Sequence, residues 1–104
     1  MRTTRQKRLE ARGWKFGNPS DFLGLSPQEA TLVEMKLALS KALKKLRKGK
    51  RLTQEQLAQI LESSQSRVAK MEAADPSVSL DLLVHSLLEL GVSREALARM
   101  LLSS

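Results

Sequence analysis

Apolar residues recur at helical spacing in five stretches of this chain, and polar or turn-forming residues separate the stretches. The segment SPQE at residues 26–29 is typical of a helix start, because serine caps, proline fits the first turn and glutamate completes a capping box. The helix is predicted to run to about Lys48, with Gly49 as its terminator. Its predicted inward stripe consists of Leu32, Met35, Leu39, Ala42, Leu43 and Leu46.

Two shorter helices, separated by a tight break, are predicted within residues 53–71. Thr53 is a good N-cap for the first of them, and Gln56, three residues later, completes a capping box. Ser63 and Ser64 interrupt the apolar pattern, and either serine could cap the second helix. The residues that the first helix turns inward are Leu57, Ala58, Ile60 and Leu61.

The second of these short helices is predicted to have two distinct faces. Val68 and Met71 lie one turn apart and point inward. At about 100° per residue, the polar side chains fall on the opposite face or on its flanks. These polar residues are Gln65, Ser66, Arg67 and Lys70. A short helix that offers such side chains to solvent, with small alanines between them, is shaped to lie in a groove.

Two further helices are predicted towards the end of the chain. Ser79 caps a segment at residues 80–90 that Gly91 ends, and Ser93 caps a last helix through Leu102. The inward positions of the first are Leu80, Leu83, Val84, Leu87 and Leu88, and those of the second are Ala96, Leu97, Met100 and Leu101. No strand pattern is present, so the pattern predicts an all-α fold of about five helices.

Residues 1–25 are predicted to form an N-terminal arm ahead of a helical domain at residues 26–104. The first dozen residues are polar and basic, with few apolar side chains to bury. Trp14, Phe16 and Phe22 are the only three aromatic residues of the chain, and they are too apolar to remain in water. Two alternatives stay open, because the arm could fold back onto the helical body or dock on a partner.

Eighteen lysines and arginines against eleven acidic residues give the chain a net charge of +7. This balance favours an acidic partner, such as nucleic acid. Seven basic residues lie within residues 41–51. Some of these residues are explained as a solvated helix end, where positive charge complements the negative end of the helix dipole. The others are interpreted as residues that bind phosphates. The candidates for phosphate contacts are Lys48, Lys50 and Arg51 in this run, with Thr53 and Ser64 at the two helix starts.

Catalytic, metal and cofactor sites are not predicted. Cysteine is absent and His85 is the only histidine, so a thiol nucleophile and a transition-metal site both lack ligands. No nucleophile accompanies His85, which is interpreted as a partly buried or surface residue. No apolar run approaches the ~20 residues that a membrane span needs, and no secretory signal follows the basic start. The expected location is the cytoplasm, at the nucleoid when bound to DNA.

Residues 53–72 resemble the helix-turn-helix of the Cro/C1-type, XRE-like family of DNA-binding proteins, and the likeness extends over roughly residues 41–90. The matching positions are TQ at 53–54, LA at 57–58, SQS at 64–66, Val68 and Glu72. The resemblance implies a lambda-repressor-like helical bundle that binds double-stranded DNA. Two positions depart from the family, because glycine is usual where Glu62 stands and often stands where Arg51 does. Glycine suits a left-handed backbone, so either Glu62 is strained or the turn is reshaped.

The resemblance also assigns roles to individual side chains. It implies that Gln54 and Gln65 carry phosphate and base contacts, and that Ser66 and Lys70 face bases. Arg67 then faces a base or the DNA backbone.

An arginine before the motif and a glutamate at its end pair in the family, and here these are Arg47 and Glu72. A partly buried ion pair between them is therefore expected to fix the relative orientation of their helices. Family members usually dimerise, so the last helix is the candidate dimer surface. The alternative is that its apolar residues pack on the core. They are Leu97, Met100, Leu101 and Leu102.

The favoured hypothesis is a sequence-specific transcriptional repressor that acts as a homodimer. A short chain with an N-terminal arm before the motif resembles HigA-type antitoxins, which pair with a small ribonuclease toxin and repress their own operon. In that branch Trp14, Phe16 and Phe22 would bind the toxin. The alternatives are a free-standing phage-type repressor and a helical adaptor that binds an acidic protein without DNA. Membrane binding by the basic arm ranks low, because the arm lacks a continuous amphipathic stripe.

Overall fold

The computed structural model describes residues 26–103, and this part of the chain is entirely helical apart from turns. The five helices are α1 (Pro27–Gly49), α2 (Gln54–Ile60), α3 (Gln65–Glu72), α4 (Leu80–Glu89) and α5 (Arg94–Leu102). The all-α fold of about five helices is therefore confirmed. The predicted arm, with Trp14, Phe16 and Phe22, lies outside the described residues, and the boundary at residue 25 stays a prediction.

The described residues fall into two structural units that divide within α1, after Val33. The described residues of the first unit are 26–33, which include the opening turns of α1. There the backbone N–H of Glu29 donates to Ser26 Oγ at 3.1 Å, and the N–H of Ser26 donates to Glu29 Oε1 at 2.9 Å. This is the predicted capping box. Leu32, predicted to face the core, is instead 44% exposed.

The second unit begins at Glu34, and its four helix starts share one device. The N-caps of α2 to α5 are Thr53, Ser64, Ser79 and Ser93. In each, the hydroxyl oxygen accepts a hydrogen bond from the backbone N–H three residues later. Thr53 also forms the predicted reciprocal bond, because its own N–H donates to Gln56 Oε1 at 2.8 Å. Of the two serines proposed to cap the second short helix, Ser64 takes the position.

A residue with left-handed backbone stands two positions after the last residue of each of the helices α1 to α4. Arg51, Glu62 and Ala74 have φ of 58°, 53° and 53°, and Gly91 has φ of 90°. After each, the next N–H reaches back to a carbonyl five residues earlier, as Ser63 does to Ala58 at 2.8 Å. The two positions that depart from the family pattern thus keep the glycine-like backbone without a glycine.

The predicted end of α1 is confirmed to within one residue, but Gly49 does not take the left-handed backbone of a terminating glycine. Gly49 is the last helical residue, and the left-handed residue is Arg51, two positions later. The turn is held by the N–H groups of Arg51 and Leu52, which donate to the carbonyls of Lys48 and Arg47 at 3.0 and 3.1 Å. These bonds place the turn, so the conformational freedom of Gly49 is not used.

Replacing Glu62 by glycine is expected to raise the free energy of unfolding by about 0.5–1 kcal/mol. A left-handed residue with a Cβ costs about 1–2 kcal/mol, and the greater entropy of glycine in the unfolded chain offsets part of the gain. Glu62 is exposed, so little packing is lost. Urea denaturation measures the change. Glu62→Ala is the matched control, because it removes the same carboxylate but keeps the Cβ. A glycine variant no more stable than the alanine variant would refute the strain at this turn.

The core of the second unit is built from residues of all its first four helices. Its fully buried aliphatic side chains are Leu39 and Leu43 of α1, Leu57 of α2, Val68 and Met71 of α3, and Leu83 and Leu87 of α4. Leu97, Met100 and Leu101 of α5 are half-buried against this cluster. α5 therefore uses most of its apolar face for packing on the core.

Three apolar residues lie where the periodicity did not place them. Ile60 and Leu88, predicted to face inward, are 51% and 47% exposed. Both stand at the edge of their stripes, beside Leu61 and Leu87, which reach the core. Val78 belongs to a loop and is buried, because its N–H bonds back to the Asp75 carbonyl and turns it inward.

Candidate nucleic-acid interface

α2 and α3 pack against each other across a short turn. Leu57 and the small side chain of Ala58 are buried in the same cluster as Val68 and Met71. The turn between the helices is closed by the left-handed Glu62 and capped by Ser64. These local features fix the direction of α3 relative to α2, and so decide which side chains of α3 meet solvent.

α3 presents one buried face and one exposed face. Val68 and Met71 are fully buried. Of the five residues predicted to contact DNA, Gln54 of α2 is half-buried and the four on α3 are exposed, namely Gln65, Ser66, Arg67 and Lys70. Within residues 26–103, this polar face of α3 is open to solvent. An α-helix of this kind fits the major groove of B-DNA.

The predicted phosphate-binding residues are also exposed, and they lie either between the end of α1 and the start of α2 or at the cap of α3. Lys48, Lys50 and Arg51 lie at the end of α1, just before the Thr53 cap. The hydroxyl oxygens of Thr53 and Ser64 accept backbone hydrogen bonds at 3.0 and 3.1 Å. A hydroxyl that accepts at a cap can still donate its own hydrogen, so both remain suited to a phosphate oxygen.

An ion pair joins the end of α1 to the end of α3. Arg47 Nε donates to Glu72 Oε2 at 2.6 Å and Arg47 Nη2 donates to Glu72 Oε1 at 3.0 Å, which is a bidentate arrangement. The two side chains are 11% and 3% exposed. The hydrogen bond to Glu72 holds the pKa of the Arg47 guanidinium above its ordinary value, with the charge of the same carboxylate adding to the effect.

The third nitrogen of this guanidinium, Nη1, stabilises the turn before α2. Arg47 Nη1 donates to the Leu52 carbonyl at 2.8 Å. One side chain thus holds the carboxylate at the end of α3 and the backbone that leads into α2. The pair implied by the resemblance is present, and the structure adds this third contact.

A chain of hydrogen bonds extends from the ion pair to the exposed face of α3. Gln54 is half-buried, and its Nε2 donates to Glu72 Oε1 at 3.2 Å. Gln65 Nε2 donates in turn to Gln54 Oε1 at 2.8 Å. Both ends of the Gln54 amide are therefore engaged within the protein, while Gln65 keeps its Oε1 and a second N–H for another partner.

Sequence reasoning named Gln54 and Gln65 separately and missed their direct contact. Eleven residues separate them in the chain, and no local periodicity connects positions on two helices. The only available signal was the expected pair between Arg47 and Glu72, because Gln54 lies on the helix between the partners. The structure brings these four side chains together into one polar network.

Residues 26–103 were also compared with what a metal site, a catalytic histidine or a membrane-spanning helix requires. No group of three or more histidine, cysteine or acidic side chains is placed there to hold a metal ion. His85 is an exposed residue of α4. None of the helices in this described range combines the length and the apolar character that crossing a membrane demands.

Comparison with known proteins agrees with the geometry. A family model described as helix-turn-helix matches residues 43–84, which run from the last turns of α1 into α4. No curated protein and no solved structure matches the chain at a significant level. The match confirms the helix-turn-helix resemblance over these residues and indicates a DNA-binding transcription regulator.

Proposed function

We propose that this protein is a sequence-specific transcriptional repressor that reads the major groove of its operator with α3. The observation that carries this proposal is the open polar face of α3, within the segment that matches the helix-turn-helix family. Bound at an operator, the protein would exclude other proteins from the same DNA. The net charge of +7 favours binding to the negatively charged phosphates of DNA.

The proposed interface makes two kinds of contact with DNA, to phosphates and to bases. Lys48, Lys50 and Arg51, with the hydroxyls of Thr53 and Ser64, bind phosphates and set the position of the protein on the duplex. Base readout falls to the exposed residues of α3. Glutamine can pair bidentately with adenine, and arginine or lysine with guanine. Gln65, Lys70 and Arg67 therefore offer readout of both base types.

The polar network prepares Gln65 for this role. Gln54 receives one N–H of the Gln65 amide, which restricts the rotamers of that side chain before DNA arrives. Ordering a free glutamine at an interface costs about 0.5–1.5 kcal/mol, and a side chain that is already oriented loses less. The buried ion pair anchors the far end of the same network.

The repressor is proposed to act as a homodimer. A single helix of eight residues reaches few bases, and two copies related by a two-fold axis read two half-sites about one turn, ~34 Å, apart. Leu102 of α5 is 85% exposed, which favours the end of this helix as the contact. Leu97, Met100 and Leu101 contribute less to it, since they already pack on the core.

Selection from a pool of random duplexes is expected to recover an inverted repeat with half-sites about 10 base pairs apart. The selected duplex should bind about 10³-fold more tightly than random DNA, and both affinities should fall as salt increases. Fluorescence anisotropy measures binding, and analytical ultracentrifugation of the complex counts two protein chains per duplex. If the protein binds the selected pool no more tightly than random DNA, it is not a sequence-specific repressor.

We further propose that the protein is an antitoxin that represses its own operon and binds a small ribonuclease toxin through the arm at residues 1–25. Support comes from the sequence, where Trp14, Phe16 and Phe22 precede the helical domain and form the most aromatic part of the chain. The neighbouring gene tests this branch. A gene for a small ribonuclease beside this one favours the antitoxin, and its absence favours a free-standing phage-type repressor.

A further inference from the structure

An apolar groove lies along α1, where the end of α5 forms part of its wall. It encloses about 860 Å³ and its floor includes Leu37, Ala38, Ala42, Leu46 and Met100. The side chain of Leu37 is 43% exposed, and contiguous exposed apolar residues of this kind are typical of a surface that binds a partner. None of the lining residues belongs to α2 or α3. The groove is therefore separate from the exposed face of α3, and Lys50 is the one proposed phosphate contact that also lines it.

The shape of the groove suits a helix. Its lining residues on α1 recur every three or four positions from Glu34 to Gly49, so they form one face of the helix. From Glu34 to Lys50 this face extends over about 24 Å, the length of a helix of about 16 residues. Ala38, Ala42 and Gly49 are small, which lets a second backbone approach α1 closely. A compact small molecule would leave much of such a long trough empty.

The charges around the groove indicate what kind of helix fits. Lys41, Lys45 and Lys50 line it beside a single acidic residue, Glu34. An occupant with carboxylates on the flanks of an apolar stripe would satisfy both the lysines and the floor. A second copy of this chain fits less well, because it carries a net charge of +7 itself. DNA would pair with the lysines but would leave the apolar floor exposed to water.

We propose that this groove binds an acidic amphipathic helix of a partner protein, with leucine-like side chains on the apolar lining and carboxylates against Lys41 and Lys45. The mode is the familiar one in which an apolar helix face lies in an apolar groove. The proposal goes beyond DNA binding, because no residue of the reading helix α3 lines the groove. A repressor with such a groove could hold a second protein while α3 remains on its site.

The test uses the full chain and a labelled 16-residue synthetic peptide with leucines at helical i, i+3, i+4 and i+7 positions and glutamates elsewhere. Fluorescence anisotropy measures binding, and a peptide with lysines in place of the glutamates is the first control. The acidic peptide should bind, and the basic peptide should not. Equal binding of the two peptides, or no binding of the acidic one, would overturn the proposal.

Matched variants locate the binding surface. Leu37→Ala and Lys45→Glu alter the lining and should each weaken peptide binding by about tenfold or more. Ile60→Ala and Lys44→Glu are the controls, because they change an equally exposed aliphatic and the neighbouring lysine outside the groove. Their binding should stay within about twofold of the parent. Circular dichroism verifies that all four variants are folded. Equal losses in both pairs would refute the assignment to this groove.

Two further readouts distinguish other occupants. The methyl signal of Met100, which lines the groove, should shift on peptide binding, while that of Met71, buried in the core, should not. Self-association that Leu37→Ala abolishes would assign the groove to a second copy and contradict the proposal. If a random-sequence duplex displaces the peptide, the lysines of the groove bind DNA, and this result would also contradict the proposal.

Discussion

Replacing Glu72 by alanine is expected to lower the free energy of unfolding by about 3 kcal/mol. The Glu72 carboxylate is 3% exposed and accepts hydrogen bonds from Arg47 Nε, Arg47 Nη2 and Gln54 Nε2. Its removal leaves the guanidinium of Arg47, 11% exposed, without its counter-charge inside the protein. This loss of stability lies at the lower end of the range for buried ion pairs, because Arg47 keeps its hydrogen bond to the Leu52 carbonyl and some contact with water.

Urea denaturation followed by far-ultraviolet circular dichroism measures this loss. Glu89→Ala is the matched control, because it removes an exposed carboxylate from the end of α4 and should change stability by less than about 0.5 kcal/mol. Replacing both partners, as in Arg47→Met with Glu72→Leu, should recover most of the loss, since a well-packed apolar pair can substitute for a buried ion pair. A cost below about 1 kcal/mol for Glu72→Ala would place the pair among exposed salt bridges and contradict its anchoring role.

Replacing Gln65 or Lys70 by alanine is expected to weaken binding to the selected operator by about 1–3 kcal/mol for each lost base contact. Both side chains are exposed and neither belongs to the core, so the variants should remain folded, and Gln65→Ala should lose no more than about 1 kcal/mol from its hydrogen bond to Gln54. Binding to random duplex should change little for Gln65→Ala, because glutamine carries no charge. Specificity at the contacted base should relax, which a repeated selection with each variant would reveal.

The controls for this prediction match the chemistry of each change. Gln28→Ala removes an exposed glutamine of α1, and Arg99→Ala removes an exposed cation of α5. Neither should affect operator affinity by more than the general loss of one charge. If Gln65→Ala and Lys70→Ala both bind the operator as tightly as the parent, α3 is not the reading helix.

The helix starts were predictable because capping is a local interaction. A serine or threonine accepts a hydrogen bond from the N–H only three residues later, so four or five residues contain all the information. The same holds for the two faces of α3, where a spacing of 3.6 residues separates Val68 and Met71 from the polar side chains. The sequence also predicted that Glu62 would either adopt a strained left-handed backbone or reshape the turn. The first outcome is observed, and it depends only on the position of Glu62 just after a helix.

The burial of particular side chains was less predictable, because it depends on which element lies opposite. Ile60 and Leu88 satisfy helical periodicity as well as their neighbours do, yet both are exposed. Val78 stands in a loop without periodicity and is buried. The end of α1 shows a related limit, since Gly49 is a suitable terminator by residue type but the backbone bonds of Arg51 and Leu52 place the turn.

By itself, the sequence determined the all-helical fold, the positions of the helix starts and the polar face that α3 offers, because each depends on contacts within one or two turns. Only the tertiary structure decided that Gln54 bridges Glu72 and Gln65, since those residues lie on α2 and α3 and meet only when the helices pack. It alone also decided that α5 meets α1 beside an open apolar groove. Contacts between distant segments depend on the packing of whole helices, which residue spacing does not encode.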